Sequence, residues 1–166
     1  MITSVWMLAL YLMAAPPAPA DLAATAKLSL DGFGPVRWGM TEKEAAKALG
    51  RELVLDGEPG DCHWVTIKGV TGVDFMVEDG RITRVDLSEP QWSTDRGLHF
   101  GDSEAQARKI YGADLAKWGE PDEAIHRFMV HSKTKKEALF LEVEGKAITT
   151  LRAGRQPSVE YYEGCE

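Results

Sequence analysis

Residues 39–50 read GMTEKEAAKALG and residues 101–112 read GDSEAQARKIYG. The two stretches lie 62 positions apart and encode the same helix. Thr41 and Ser103 are N-cap residues, whose side-chain oxygens accept from backbone N–H groups that the first turn leaves unpaired. Glu44 and Gln106 follow three residues later and can reach back to close a capping box. Gly50 and Gly112 end the two runs, glycine being the residue that takes a left-handed conformation past a helix C-terminus at least cost. Between cap and glycine, Ala45, Ala48 and Leu49 recur at helical spacing, as do Ala107, Ile110 and Tyr111.

The echo runs on. Leu53 matches Leu115, and Gly57-Glu58-Pro59 matches Gly119-Glu120-Pro121; from Gly39 to Pro59, 9 of 21 positions are identical. Unrelated sequence would give about one, so the echo reads as an internal duplication. Trp38 and Phe100 precede the two helices at matching places and are expected to pack beneath them.

After each Gly-Glu-Pro the period changes from helical to strand-like. CHWVTI (62–67) and IHRFMV (125–130) are strand candidates. VDFMVEDGRITRVDL (73–87) and ALFLEVEGKAITTLR (138–152) read as hairpins, turning at Asp79-Gly80 and Glu144-Gly145. When the turn glycines are aligned, Val73, Phe75 and Val77 fall on the face opposite to Leu139, Leu141 and Val143. Either a bulge shifts one copy or both sheet faces are partly covered, since a one-residue slip exchanges faces. The expected fold is α+β: two tandem αβββ repeats, their short helices packed on antiparallel sheet. Repeat 1 spans 28–87, with Leu28–Leu30 a short edge strand; a polar linker spans 88–96; repeat 2 spans 97–152. The tail, 153–166, has no counterpart in the first copy, and SVEYY within it is a candidate edge strand. One copy of about 60 residues buries only ~60% of its unfolded surface, whereas two copies sharing a core make a secure domain.

The first 20 of the 166 residues carry no charged side chain, hold an apolar run from Val5 to Ala15 and end in Ala18-Pro19-Ala20. This is the pattern of an export signal, with cleavage after Ala20 or, later, after Ala26. The remaining chain carries no further stretch able to span a membrane. It is expected in the periplasm or outside the cell. Two cysteines, Cys62 and Cys165, are then expected to form a disulfide that ties the tail to the first copy. Nineteen Lys and Arg against 26 Asp and Glu give a net charge of −7, which argues against nucleic acid as a partner.

No phosphate loop, zinc-protease motif, paired C-x-x-C or nucleophile elbow occurs, so no catalytic residue, cofactor or metal ligand is assigned. His63 and His126 hold equivalent places and read as inherited strand histidines, while His126 and His131 face opposite sides of their strand. Asp56, Asp61, Glu120, Asp122 and Glu123 make the loops after the helices acidic without calcium-loop spacing. The aromatics are the candidate partner-binding residues: Trp64, Trp92, Trp118, Tyr161 and Tyr162. Trp92 and Trp118 lead, because both sit in polar segments.

Gly39-Met40-Thr41-Glu42 followed by Leu49-Gly50, ahead of a three-stranded pattern, resembles the small SmpA/OmlA-type outer-membrane assembly modules. In tandem form the chain is similar to the β-lactamase inhibitory protein superfamily, in which two helix-plus-sheet repeats bind a partner protein on a concave sheet. The likeness covers about 39–87 and 101–152. Asp102 stands where the first copy has Met40, and the lipid-attachment cysteine of the assembly modules is missing. The resemblance implies an exported, non-enzymatic, inhibitor-like protein-binding module. The alternatives are a cell-envelope structural or assembly accessory protein and, below it, a small metal-binding protein or enzyme. Oligomeric state is not legible.

Overall fold

The structure is a computed structural model and describes residues 19–120, 122–162 and 164–165. The expected export signal, apart from its last two residues, lies outside the described residues. The chain folds as an α+β domain around one large antiparallel sheet. Helix α1 (Pro19–Thr25) leads into three two-residue strands, β1 (Leu28–Ser29), β2 (Gly32–Phe33) and β3 (Val36–Arg37), which form a small sheet of their own. Leu28 therefore belongs to a separate sheet and is not an edge of the main one. Helix α2 (Glu42–Leu49) follows, then β4 (Leu53–Asp56), β5 (Cys62–Ile67), β6 (Val73–Glu78) and β7 (Arg81–Leu87). Helix α3 (Glu104–Tyr111) and a 3-10 turn precede β8 (Ala116–Lys117), β9 (Ile125–His131), β10 (Glu137–Glu144) and β11 (Ala147–Arg155).

The main sheet has eight strands in the order β4-β5-β6-β7-β11-β10-β9-β8. The order is a palindrome: each half is a four-stranded meander, and the halves join through their last strands. At that joint Leu87 pairs with Leu151 and Val85 with Ala153. Helices α2 and α3 are thus each followed by four strands, not three. The added strand is the short edge element, β4 or β8, in the segment read as a loop.

The face conflict resolves in the turns. Glu78 pairs with Arg81, so the first turn is Asp79-Gly80, both at positive φ (49° and 71°), as a type I′ turn requires. Glu144 pairs with Ala147, so the second turn is Gly145-Lys146, not Glu144-Gly145, with positive φ (64°) at its first position. The two glycines occupy different turn positions, and aligning them displaces the strands by one. With the turns superposed, Val73, Phe75 and Val77 correspond to Leu139, Leu141 and Val143, and all six enter the same core. A bulge follows in each half, leaving Thr83 and Thr149 unpaired at corresponding places.

That core lies between the sheet and the layer formed by α1, the small sheet, α2 and α3. Thr41 and Glu44 make a complete capping box; Ser103 accepts from the backbone of Gln106 without the reciprocal bond. Gly50 takes the left-handed conformation (φ 64°, ψ 26°), whereas Gly112 opens the 3-10 turn instead. Trp38 and Phe100 are half-buried against this core, Trp38 donating its indole N–H to Leu30 O at 2.6 Å.

Segment 88–96 carries the largest departure from its polar reading. Trp92 is 1% exposed, and Ser93 and Thr94 are buried with it. The Trp92 ring meets Phe33 edge-on at 5.6 Å, and its indole N–H donates to Thr71 O at 2.8 Å. Trp92 is a core residue and not a surface contact. Neighbouring polarity in sequence misleads here because the flanking Ser93 and Thr94 are buried with their hydroxyls hydrogen-bonded.

Candidate interaction surface

In a strand, alternate residues face opposite sides. Those that do not enter the helix-side core form the outer face of the sheet. One row across it runs Trp64, Met76, Arg84, Gly154, Ala138 and His131 by strand register. The next runs Thr66, Asp74, Asp86, Arg152, Phe140 and Met129. Beyond it lie Glu142 and Arg127.

The C-terminal tail lies over part of this face and forms no edge strand: Ser158–Glu160 is a 3-10 turn. Val159 packs with Met129, Ala138 and Phe140 in a second small cluster. Arg84 Nη1 donates to the carbonyls of Ser158 (3.3 Å) and Tyr161 (2.8 Å), and Ser158 Oγ bonds to Glu78. The Cys62–Cys165 disulfide fastens the end of the tail, and Gly164 lies against Trp64 so closely that a Cβ there would sit 2.9 Å from the ring.

Four of the five aromatics singled out in sequence meet on or beside this face. Trp64 lies under Arg84 (5.2 Å), and Tyr162 stacks with Arg127 (5.8 Å). Trp118 is half-buried edge-on to Phe140 at 5.3 Å. Tyr161 is 37% and Tyr162 66% exposed. The fifth, Trp92, lies on the far side of the sheet. A shallow notch of about 120 Å³ beside Trp118 is bounded by Ile125, His126 and Arg127.

Sequence reasoning missed the arginines. Arg84 is 3% exposed and grips Asp86 through two bonds of 2.6 Å. Arg127 Nε holds Glu142 at 2.8 Å, which together with that carboxylate raises its own pKa. Arg152 is as buried as Arg84, lies over Phe140 at 4.4 Å, and its Nε meets no hydrogen-bond acceptor. Burial and the neighbouring Arg84 charge pull its pKa down to about 10. Asp74, beside Asp86, is pushed up by burial and by the Asp86 and Asp56 charges. The signal for these residues was available: charged residues on the outward positions of five adjacent strands.

The two aligned histidines have a structural explanation. His63 Nε2 meets Glu42 at 3.0 Å and His126 Nδ1 meets Glu104 at 2.6 Å, so in both halves a strand histidine clamps the first residue of the helix. The His126 bond holds the Glu104 carboxyl below its usual range. Among the described residues no group of three His, Cys, Asp or Glu is placed to hold a metal, and no helix is long and apolar enough to cross a membrane.

No family model matches the chain, and no curated protein matches it. Among solved structures, the uncharacterized protein yfeY from Escherichia coli superposes with a TM-score of 0.51 at 12% identity. The match covers 78% of this chain and 99% of that one, and it is a likeness of fold. An extracellular protein containing a SCP domain from Bacillus anthracis gives a TM-score of 0.44 at 9% identity, over 71% of this chain and 44% of that one.

Proposed function

We propose that this is an exported, non-enzymatic module that binds a partner protein on the outer face of its sheet. The reading rests on one observation: Trp64, Trp118, Tyr161 and Tyr162 converge there with three arginines that stack on aromatic rings. Tyr, Trp and Arg are the residue types that carry most binding energy at protein interfaces. Export is supported by the disulfide, which persists in oxidising compartments such as the periplasm or the extracellular space.

The palindromic strand order and the matched bulges at Thr83 and Thr149 support a tandem duplication of one helix-plus-meander unit. They are in keeping with the resemblance to the β-lactamase inhibitory protein and SmpA/OmlA-like superfamily. On this reading, duplication widened the outer face to eight strands, and the tail then covered part of it.

The test is capture from the cell envelope and culture fluid with the disulfide-bonded chain as bait. Any partner is then measured against Trp118→Ala and Tyr162→Ala. Truncating a residue central to the interface costs about 2 kcal/mol or more, roughly thirtyfold in affinity. Full affinity in both folded variants sinks the proposal.

A further inference from the structure

The two halves differ at one end of the core, and the difference leaves a cavity. In the first half Trp92 lies at the β5–β6 loop, which joins Ile67 to Val73: its indole N–H donates to Thr71 O, with Phe33 against its ring. By register Leu49, Ile67 and Val73 correspond to Tyr111, Val130 and Leu139 of the second half. No indole arrives there. Eight residues separate Val130 from Leu139 where five separate Ile67 from Val73, and the longer connection stands off as a wall. The result is a cavity of about 440 Å³. Leu28, Tyr111, Val130 and Leu139 form its apolar floor, and Ser132, Lys133 and Thr134 of the longer connection form one side. A volume between 300 and 1,000 Å³ is that of small-molecule sites.

The rim is charged in both senses. Glu137 is occupied by the Ser132 and Thr134 hydroxyls, and Arg96 by Asp114 at 3.0 Å, its guanidinium lying 5.0 Å from the Tyr111 ring centroid. Lys133, Asp31 and Asp95 enter no ion pair among the described residues. The rim thus offers one cation and two carboxylates above an apolar floor, and at the corresponding connection of the other half the chain places an indole, that of Trp92.

We infer that this cavity is a binding site for a small aromatic zwitterion of the tryptophan class. The ring occupies the floor between Tyr111 and Leu139. The ligand's carboxylate meets Lys133, and its ammonium meets Asp31 and Asp95. The site lies on the helix side of the sheet, away from the outer face, so its occupancy is independent of partner capture there.

The experiment is an NMR titration of the disulfide-bonded, methyl- and ¹⁵N-labelled chain with indole, tryptamine and L-tryptophan. The expected result is saturable shifts at Leu28, Tyr111, Val130 and Leu139, with L-tryptophan at least about threefold tighter than indole. Lys133→Glu, on the exposed rim, removes the advantage of L-tryptophan over tryptamine and leaves indole unchanged. Leu139→Phe fills the slot and abolishes binding of all three; if that variant melts early, Thr134→Trp takes its place. The inference is overturned if none of the three shifts these residues up to its solubility limit, or if the filled variant binds like the parent. Equal affinities for the three probes overturn the assignment of a zwitterion.

Discussion

At the scale of single residues, Trp92 and Tyr162 separate packing from exposure. Trp92 is enclosed and hydrogen-bonded, so Trp92→Ala leaves both a large void and an unmet Thr71 carbonyl. A loss of about 3–5 kcal/mol is expected in urea unfolding. Tyr162→Ala removes an exposed ring and is expected to stay within about 0.5 kcal/mol. Similar midpoints for the two variants would contradict the placement of Trp92. Arg152 makes the opposite test. Its folded pKa, about 10, lies below its ordinary value, so the protonated form is disfavoured by folding throughout neutral pH, and that penalty is relieved only as pH rises through about 10. Arg152→Met keeps the contact with Phe140 without the buried charge. It is expected to leave stability unchanged or raise it by up to about 1–3 kcal/mol, read from the melting midpoint. A marked loss of stability would mean that the cation is satisfied.

At the scale of elements, the two helices share a design but not an equal anchoring. Helix α2 has the full capping box, and α3 keeps only the Ser103 half. Thr41→Ala and Ser103→Ala each remove a cap worth about 0.5–2 kcal/mol, and Thr41→Ala is expected to cost more because Glu44 also loses the bond from the Thr41 hydroxyl, while keeping the one from its backbone N–H. Equal denaturant midpoints would mean that the bond from the Thr41 hydroxyl to Glu44 adds nothing. The carboxylates at these helix starts also set the acid response. Glu44 is held low by its Thr41 bonds and Glu104 by His126. Groups with depressed folded pKa values stabilise the fold above their unfolded value near 4.5 and lose that contribution as pH falls through the folded one. Asp74, raised by burial, works in the reverse direction. In acid titrations followed by circular dichroism, Glu104→Gln is expected to flatten the loss below pH ~4.5 and Asp74→Asn to raise stability at neutral pH.

At the scale of the whole molecule, the tail and its disulfide tie the C-terminus back to the first half of the sheet. Cys62 and Cys165 lie 103 residues apart in sequence, and their bridge holds the tail across the outer face. Opening so long a loop in the unfolded chain costs up to about 4–5 kcal/mol in the loop-entropy account. Cys165→Ser is expected to destabilise the chain and to speed amide exchange over 158–162, together with Trp64 and Phe140 on the face beneath. Unchanged exchange on that face would mean that the Arg84 bonds and Val159 hold the tail without the bridge. At the other end, Leu22 and Ala26 are buried in the main core. Cleavage after Ala26 would strip Leu22 from the core, so on the proposed export of the chain N-terminal sequencing is expected to find Asp21 first.

What the sequence determined by itself was local and periodic. The helix caps, the strand runs, the Asp79-Gly80 turn and the likeness of the two halves depend on neighbours within a few residues or on direct comparison along the chain. The disulfide was legible as well, since two cysteines in an exported chain allow one intramolecular pairing. The short strands β4 and β8 were not, because two to four residues carry too little pattern without a partner strand. The turn at Gly145-Lys146 was misplaced because glycine suits either position of a tight hairpin turn, and only the pairing of Glu144 with Ala147 selects one. The palindromic join of β7 to β11 and the burial of Trp92 were decided by tertiary structure alone, as were the rings on which the outward-facing arginines stack. Each depends on which surfaces of separate elements meet, and a side chain's burial is a property of what lies opposite it, which sequence neighbours do not specify.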